Sequence, residues 1–166
     1  MKTFNSEIVA TGETRMQVKN YQRYRIVLKN KRIASIELDG HEEKGFKRPA
    51  TENKRLKLYV VKSGSEVIYV GITSQSIRNR LRYGLKAQGK GGYHGYKWKD
   101  LGEVDILIWC FPKESRDYVE AVEAELVYLF RKCTGKWPKH QMEIHFHDAS
   151  EDEIKAAEAI FKESCG

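Results

Sequence analysis

Two tyrosines and a group of arginines lie close together near the middle of this 166-residue chain. Tyr59 and Tyr69 each lie in a short apolar run, and the second run leads into a segment rich in arginine. Residues 77–99 carry seven basic side chains and no Asp or Glu. Such a local excess of positive charge is expected where a protein follows the phosphate backbone of a nucleic acid. On charge alone, a basic surface that faces only solvent is an equally good interpretation.

The composition is that of a globular domain with a core of its own. The chain is 40% hydrophobic and 32% charged, and its formal net charge of +7 favours an anionic partner. No apolar stretch reaches the roughly 18 residues that a membrane span needs, and the first residues contain no apolar run typical of a signal peptide. The three cysteines are scattered and form no CxxC pair, which is typical of reduced thiols. We therefore expect a cytoplasmic protein without a membrane partner.

Hydrophobic patterning predicts the elements that carry the tyrosines and arginines. Runs of β-branched and aromatic residues predict a β-hairpin with strands near 57–62 and 66–70. Apolar residues at every fourth position predict a helix after it, capped by Thr73 or Ser74. Three further elements are predicted beyond this helix, namely an irregular glycine-rich stretch (88–98), a central strand (104–111) and an amphipathic helix (116–132).

Both ends of the chain carry additional predicted elements. Residues 21–38 are predicted to form a hairpin that turns at Asn30-Lys31, and EIHFH (143–147) alternates as a strand does. Ser150 begins a capping-box sequence, so a final acidic helix should follow it. The predicted fold class is α+β, with a three-stranded antiparallel sheet flanked by helices in the order β-β-α-β-α. The predicted domains are a basic N-terminal extension with a hairpin (1–55), this core (56–142), and a C-terminal strand and helix packed on it (143–166).

The order of these elements and residues resembles the GIY-YIG nuclease family, over roughly residues 56–142. The residues that carry the resemblance are, in order, Tyr59, Tyr69, Gly71, Arg80 and Glu125. The chain departs from the family pattern at its first motif, where Lys57-Leu58-Tyr59 replaces Gly-Ile-Tyr. One residue more than expected separates Tyr69 from Arg80, which leaves Arg78 as a competitor for the arginine's role. Gln141 stands where the family often has asparagine, and both side chains are amides.

The resemblance implies an endonuclease that hydrolyses DNA phosphodiester bonds with the help of Mg²⁺ or Mn²⁺. Tyr59 would be the general base, Tyr69 would help to position it, Arg80 would hold the scissile phosphate, and Glu125 would bind the metal. An unperturbed tyrosine has a pKa of about 10, so Tyr59 would need the metal and Arg80 to favour its phenolate. One carboxylate with waters and phosphate oxygens is a normal magnesium shell. Helical geometry leaves both Glu123 and Glu125 beside the apolar stripe, and the family spacing favours Glu125.

A second set of residues is expected to contact nucleic acid, by charge or by stacking on bases, although an ordinary basic loop explains the same pattern. This set is Arg78, Arg82, Tyr83, Lys86, Lys90, His94 and Lys97. Gly71 and Gln141 are expected to support the site without reacting. The small size and the basic extension suit a restriction, phage or mobile-element nuclease, acting as a homodimer if it cuts both strands of a palindrome.

Two other functions stay open at this point. A basic nucleic-acid-binding module that has lost catalysis would explain the missing first glycine, and it would bind DNA in a salt-sensitive way without cleaving it. A zinc or iron enzyme would instead use Glu143, His145 and His147, which share one face of the predicted strand, with His140 nearby. The two-residue spacing of these histidines is a weak signal, because alternating polar residues usually mark a solvent-facing strand.

Overall fold

The structure, a computed structural model, describes residues 20–166. Residues 1–19 of the predicted N-terminal extension lie outside the described residues. The elements, in chain order, are β1 (Tyr21–Lys29), β2 (Arg32–Leu38), β3 (His41–Glu43), β4 (Leu56–Ser63), β5 (Glu66–Thr73), α1 (Ile77–Lys86), β6 (Glu103–Phe111), α2 (Arg116–Thr134) and α3 (Glu151–Cys165). No helix between residues 20 and 166 has the length and apolar character needed to cross a bilayer.

All six strands belong to one antiparallel sheet, in the order β3-β2-β1-β6-β4-β5. The predicted three-stranded sheet is therefore wrong. Its three strands are present, but β1 pairs with the second edge of β6, from Tyr21 opposite Trp109 to Val27 opposite Glu103. Without β1 that edge of a buried strand would leave its N–H and C=O groups without partners, which is unfavourable away from water. The first hairpin thus extends the sheet.

The predicted hairpins and helices are confirmed, with small shifts at their ends. Asn30 and Lys31 both have positive φ, at 52° and 59°, as a two-residue hairpin turn with the twist of its strands requires. The cap of α1 is Ser76, whose side chain accepts a hydrogen bond from the Asn79 N–H, so this helix begins later than a Thr73 or Ser74 cap predicts. Ser115 caps α2, and the predicted capping box at Ser150 begins α3.

The strand predicted for 143–147 is wrong, because this segment has no regular structure. The residues just before it follow the free edge of β5 through isolated hydrogen bonds. His140 donates its backbone N–H to the Ile68 carbonyl at 2.8 Å, and the Gln141 side chain binds Val70. Alternating apolar residues predict a strand only if one face is buried, and Phe146 is 86% exposed.

Helices and loops cover the sheet on both faces. α1 and the aromatic loop that follows it pack on one face, where Tyr59, Tyr96 and Trp98 are buried. α2 and α3 pack on the other face against Leu107 and Trp109. Because β6 is central and buried on both sides, it is apolar at almost every position. The tyrosines and arginines of interest lie on the face that α1 covers.

Candidate active site

The two tyrosines of the β4–β5 hairpin meet over a glycine. Tyr59 lies opposite Gly71 in the strand register, and the ring centroids of Tyr59 and Tyr69 are 5.9 Å apart. A Cβ atom at position 71 would lie 2.6 Å from the Tyr59 hydroxyl oxygen and 2.8 Å from Cε1 of Tyr69. Real Cβ atoms do not approach so closely, so a side chain here would drive the rings apart. Gly71 therefore makes room for the pair.

A third tyrosine, Tyr96, completes this cluster. Its hydroxyl oxygen lies 2.9 Å from that of Tyr59, and its ring stacks on Trp98 at a centroid distance of 4.4 Å. The ring fills the space beside Gly84 of α1, where a Cβ atom would lie 2.1 Å from Cε2 of Tyr96. The Tyr96 N–H also donates to the Gly84 carbonyl at 3.0 Å. Gly84 thus allows the loop after α1 to press a tyrosine into the site.

In the sequence, Tyr96 is one of several aromatic residues in the basic, glycine-rich stretch (88–98) that is predicted to be irregular. The signal that points to it is Gly84 itself, since a glycine inside a helical pattern destabilises the helix and usually has a packing reason. The sequence does not show which side chain fills the space beside it. That contact depends on the path of an irregular loop.

Arg80 is the arginine that reaches the tyrosine cluster. Its Cζ atom lies 5.0 Å from the ring centroid of Tyr96, and its Nη1 donates to the Tyr93 hydroxyl at 3.0 Å. Arg78 and Arg82, in contrast, are exposed. Burial alone lowers the pKa of Arg80, but the oxygens of Tyr59, Tyr96 and Tyr93 more than offset it and the pKa lies above its usual range. The structure thus fixes a permanent positive charge over a phenol ring, partly open to solvent.

The three phenols of the cluster are held in their neutral form. Burial is the largest cause that raises the pKa of Tyr59, and the neighbouring Tyr96 raises it further. The pKa values of Tyr69 and Tyr96 are raised by burial too, and the positive charge of Arg80 only partly opposes this effect. Tyr59 is fully buried, with Tyr96 as its hydroxyl partner. A tyrosinate base is therefore disfavoured here at neutral pH, whereas a phenol that donates a hydrogen bond is favoured.

Glu123, a carboxylate of α2, affects the pKa of Tyr69 in this cluster. Glu123 is partly buried, and the pKa of its carboxyl group is raised to about 7, with burial as the largest cause. The negative charges of Glu120 and Glu143 also raise this pKa, whereas His145 and Arg116 lower it. The charge of Glu123 in turn contributes to the raised pKa of Tyr69. Among residues 20–166, no side chain donates a hydrogen bond to this carboxylate or forms an ion pair with it.

Glu125, the residue that the resemblance favours, lies two positions from Glu123 on α2 and so on the opposite side of this helix. Residues two positions apart on a helix are rotated by about 200°, so Glu123 and Glu125 cannot both face Tyr69. Of the two, Glu123 is the one whose charge contributes to the raised pKa of Tyr69. The structure thus brings Tyr59, Tyr69 and Arg80 together. Glu125 as the metal ligand stays a prediction, with Glu123 as its competitor on the same helix.

The predicted pair of histidine ligands does not converge. Nε2 of His145 lies 3.2 Å from a carboxylate oxygen of Glu143, whereas Nε2 of His147 lies 3.9 Å from one of Glu120. Within the described part of the chain, no group of three or more His, Cys, Asp or Glu side chains is arranged to hold a metal ion. A single carboxylate such as that of Glu123 or Glu125 is a sufficient protein ligand for Mg²⁺ or Mn²⁺ where water and phosphate oxygens complete the shell.

Two further residues explain how the site is supported. Lys57, where the family has its first glycine, is buried and donates its ammonium to the carbonyls of Glu52 at 2.7 Å and Arg55 at 2.6 Å, so it anchors the loop before β4. Gln141 binds both backbone groups of Val70, each at 3.0 Å. The amide offers an acceptor for the Val70 N–H and a donor for the Val70 carbonyl. It holds the strand between Tyr69 and Gly71.

The side chains predicted to contact nucleic acid are all exposed, and they lie on α1 and the loop after it. Tyr83 is 63% exposed, and its ring stacks on that of Tyr93 with 5.0 Å between centroids. Because the Tyr93 hydroxyl accepts a hydrogen bond from Arg80, the exposed aromatic pair connects directly with the tyrosine cluster. Comparisons of the chain with protein-family models, with curated proteins and with solved structures found no match.

Proposed function

We propose that this protein is a metal-dependent endonuclease that hydrolyses DNA phosphodiester bonds in the cytoplasm. The observation that carries the proposal is the arrangement of Arg80 at the rim of the tyrosine cluster, with the unpaired Glu123 carboxylate within electrostatic reach of Tyr69. A fixed guanidinium suits phosphate binding, and a carboxylate suits cation binding. This arrangement supports the function better than charge or composition does.

Arg80 binds the scissile phosphate in this proposal. The guanidinium offers a planar set of donors, and its charge offsets the negative charge that builds up on the phosphate oxygens. Tyr93 and the ring of Tyr96 hold it in place before substrate arrives. A site organised in advance is more effective, because no reorganisation is needed when the reaction occurs.

Glu123 is the ligand for Mg²⁺ or Mn²⁺. When bound, the ion polarises the phosphate and lowers the pKa of a coordinated water. Only the deprotonated carboxylate binds a cation, so metal affinity should rise as the pH passes the value of about 7 at which Glu123 titrates. Tyr69, which is partly exposed, donates a hydrogen bond that positions the attacking water or a phosphate oxygen, and the buried Tyr59 and Gly71 fix its ring.

A DNA-binding module without catalysis is the second candidate. The observation that favours it is the complete burial of Tyr59, whose hydroxyl is paired with Tyr96 and whose pKa is raised. Such a tyrosine cannot remove a proton from water without rearrangement. The two candidates differ in one outcome only, namely whether bound DNA is cut. If it is cut on both strands, two copies of the chain acting as a homodimer are the simplest arrangement.

The experiment is cleavage of supercoiled plasmid with Mg²⁺, with Mn²⁺ and with EDTA, using the wild-type chain and Arg80→Ala. The matched control is Arg78→Ala, an exposed arginine on the same helix. We expect nicked or linear plasmid with either ion, none with EDTA, and a loss of about 100-fold or more for Arg80→Ala. Circular dichroism confirms that the variants are folded. Binding of plasmid without any product under either ion would establish the module instead.

A further inference from the structure

Two grooves on the face that carries α1 share a wall residue. Each has a volume of about 450 Å³. Arg82, Tyr83 and Lys86 line the first, and Lys86 lines the second together with Lys31 and Arg32 of the β1–β2 turn. Since Lys86 lines both, the grooves are neighbours, and the two together are called the trough; their lining residues belong to α1, the residues just after it and the tip of the first hairpin. None of the side chains that line either groove is acidic.

The hairpin end of the trough is held in a defined position. Its strands stay paired up to Lys29 opposite Arg32, so only two residues form the turn. The Leu28 N–H donates to the Gly102 carbonyl at 2.8 Å, which ties this end of the hairpin to the loop before β6. Lys31 of the turn and Arg32, the first residue of β2, are both exposed. Two cations are thus presented on a rigid support, which lowers the entropy lost when they bind an anion.

The other end of the trough leads to the candidate active site. Tyr83 lines the first groove, its ring stacks on Tyr93, and the Tyr93 hydroxyl accepts a hydrogen bond from Arg80. The path from Arg32 through Lys86 and Tyr83 to Arg80 is therefore made of shared walls and direct contacts. Arg32 and Lys86, the cations of this path, come before Arg80, the residue proposed to bind the scissile phosphate.

We propose that this trough binds the phosphate backbone of duplex DNA beside the scissile phosphate, and that the tip of the β1–β2 hairpin is part of the DNA-binding surface. A row of cations without acidic neighbours fits a polyanion with regularly spaced charges. The two walls come from separate elements, as needed to hold one backbone strand between them. The inference rests on the proposed function for the direction of the path, but the binding it describes does not require hydrolysis.

The test is fluorescence anisotropy with a labelled duplex in EDTA. The binding constant K is measured at salt concentrations from about 50 to about 300 mM. The variant is Lys31→Ala with Arg32→Ala, and the matched control is Lys132→Ala with Lys155→Ala, two exposed lysines on the helices of the other sheet face. Each lost phosphate contact should reduce the slope of log K against log salt by about 0.9. We expect a reduction of about 2 for the trough variant and none for the control.

Three outcomes would overturn the inference: no binding of duplex by the wild-type chain, equal slopes for the trough variant and the wild type, or tighter binding of the single strand or of heparin than of the duplex. Plasmid cleavage separates this inference from the proposed function. If the wild type cuts DNA and the trough variant binds normally, the trough alone is refuted. If the trough variant shows the reduced slope of log K against log salt, and neither the wild type nor the variant cuts DNA, the trough is supported and hydrolysis is refuted.

Discussion

Replacing Gly84 by alanine tests whether the tyrosine cluster is packed as described. The new Cβ atom would lie 2.1 Å from Cε2 of Tyr96, whereas carbon atoms in contact lie about 3.5–4.0 Å apart. The ring must therefore move by about 1.5 Å. Such a movement breaks the 2.9 Å contact between the hydroxyls of Tyr96 and Tyr59 and disturbs the stack on Trp98.

The expected change in the free energy of unfolding is the sum of three effects. Overpacking a dense site destabilises by about 1–3 kcal/mol, and a buried hydroxyl without its partner destabilises by about 1 kcal/mol more. Alanine in a helix interior stabilises by about 1 kcal/mol relative to glycine. The net prediction is a destabilisation of about 2 kcal/mol, or about 4–8 °C in Tm for a domain of this size.

The assay is urea unfolding followed by tryptophan fluorescence and circular dichroism, in a double-mutant cycle with Tyr96→Ala. In the Tyr96→Ala background the space beside position 84 is open, so Gly84→Ala should be neutral or stabilise by up to about 1 kcal/mol. The sign of the effect should therefore reverse. A stabilising Gly84→Ala in the wild-type background, or the same effect in both backgrounds, would refute the packing on which the site depends.

Two further predictions concern the site itself. Because the folded-state pKa of Glu123 is raised from 4.5 to about 7, stability that is complete below pH 4.5 is lost as the pH rises through about 7. Between pH 4.5 and 8 the wild type should lose about 3 kcal/mol more unfolding free energy than Glu123→Gln, and equal losses in urea titrations would show that this carboxyl is not desolvated. Gly71→Ala should separate the rings of Tyr59 and Tyr69, destabilise the fold by about 1–3 kcal/mol and abolish plasmid cleavage, while unchanged cleavage would remove the pair from the site.

Local elements were predictable because their signals are local. The alternation in 21–38, the capping box at Ser150 and the helical spacing of Ile77, Leu81 and Leu85 each correspond to an observed element. The size of the sheet was not predictable in the same way. β1 pairs with β6 across a long stretch of chain, and both edges of an apolar strand such as β6 look alike in the sequence.

The candidate site was predictable only where its residues are neighbours in the sequence. Tyr59, Tyr69 and Gly71 lie on one hairpin, so their approach follows from strand register alone. Glu123 and Glu125 both border the apolar stripe, and the family spacing favoured Glu125. The sequence does not show how α2 is rotated against β5, and the choice between the two depends on that rotation. Alternation at 143–147 was misleading, since the Gln141 side chain and the His140 backbone, rather than a paired strand, cover the edge of β5.

The most direct test of the central claim is the single-turnover rate of DNA cleavage by wild type, Glu123→Gln and Glu125→Gln with saturating Mg²⁺. We expect Glu123→Gln to lose about 100-fold or more in rate and Glu125→Gln to cleave like the wild type, with both variants folded. Cleavage that survives in Glu123→Gln but is lost in Glu125→Gln would contradict the site described here.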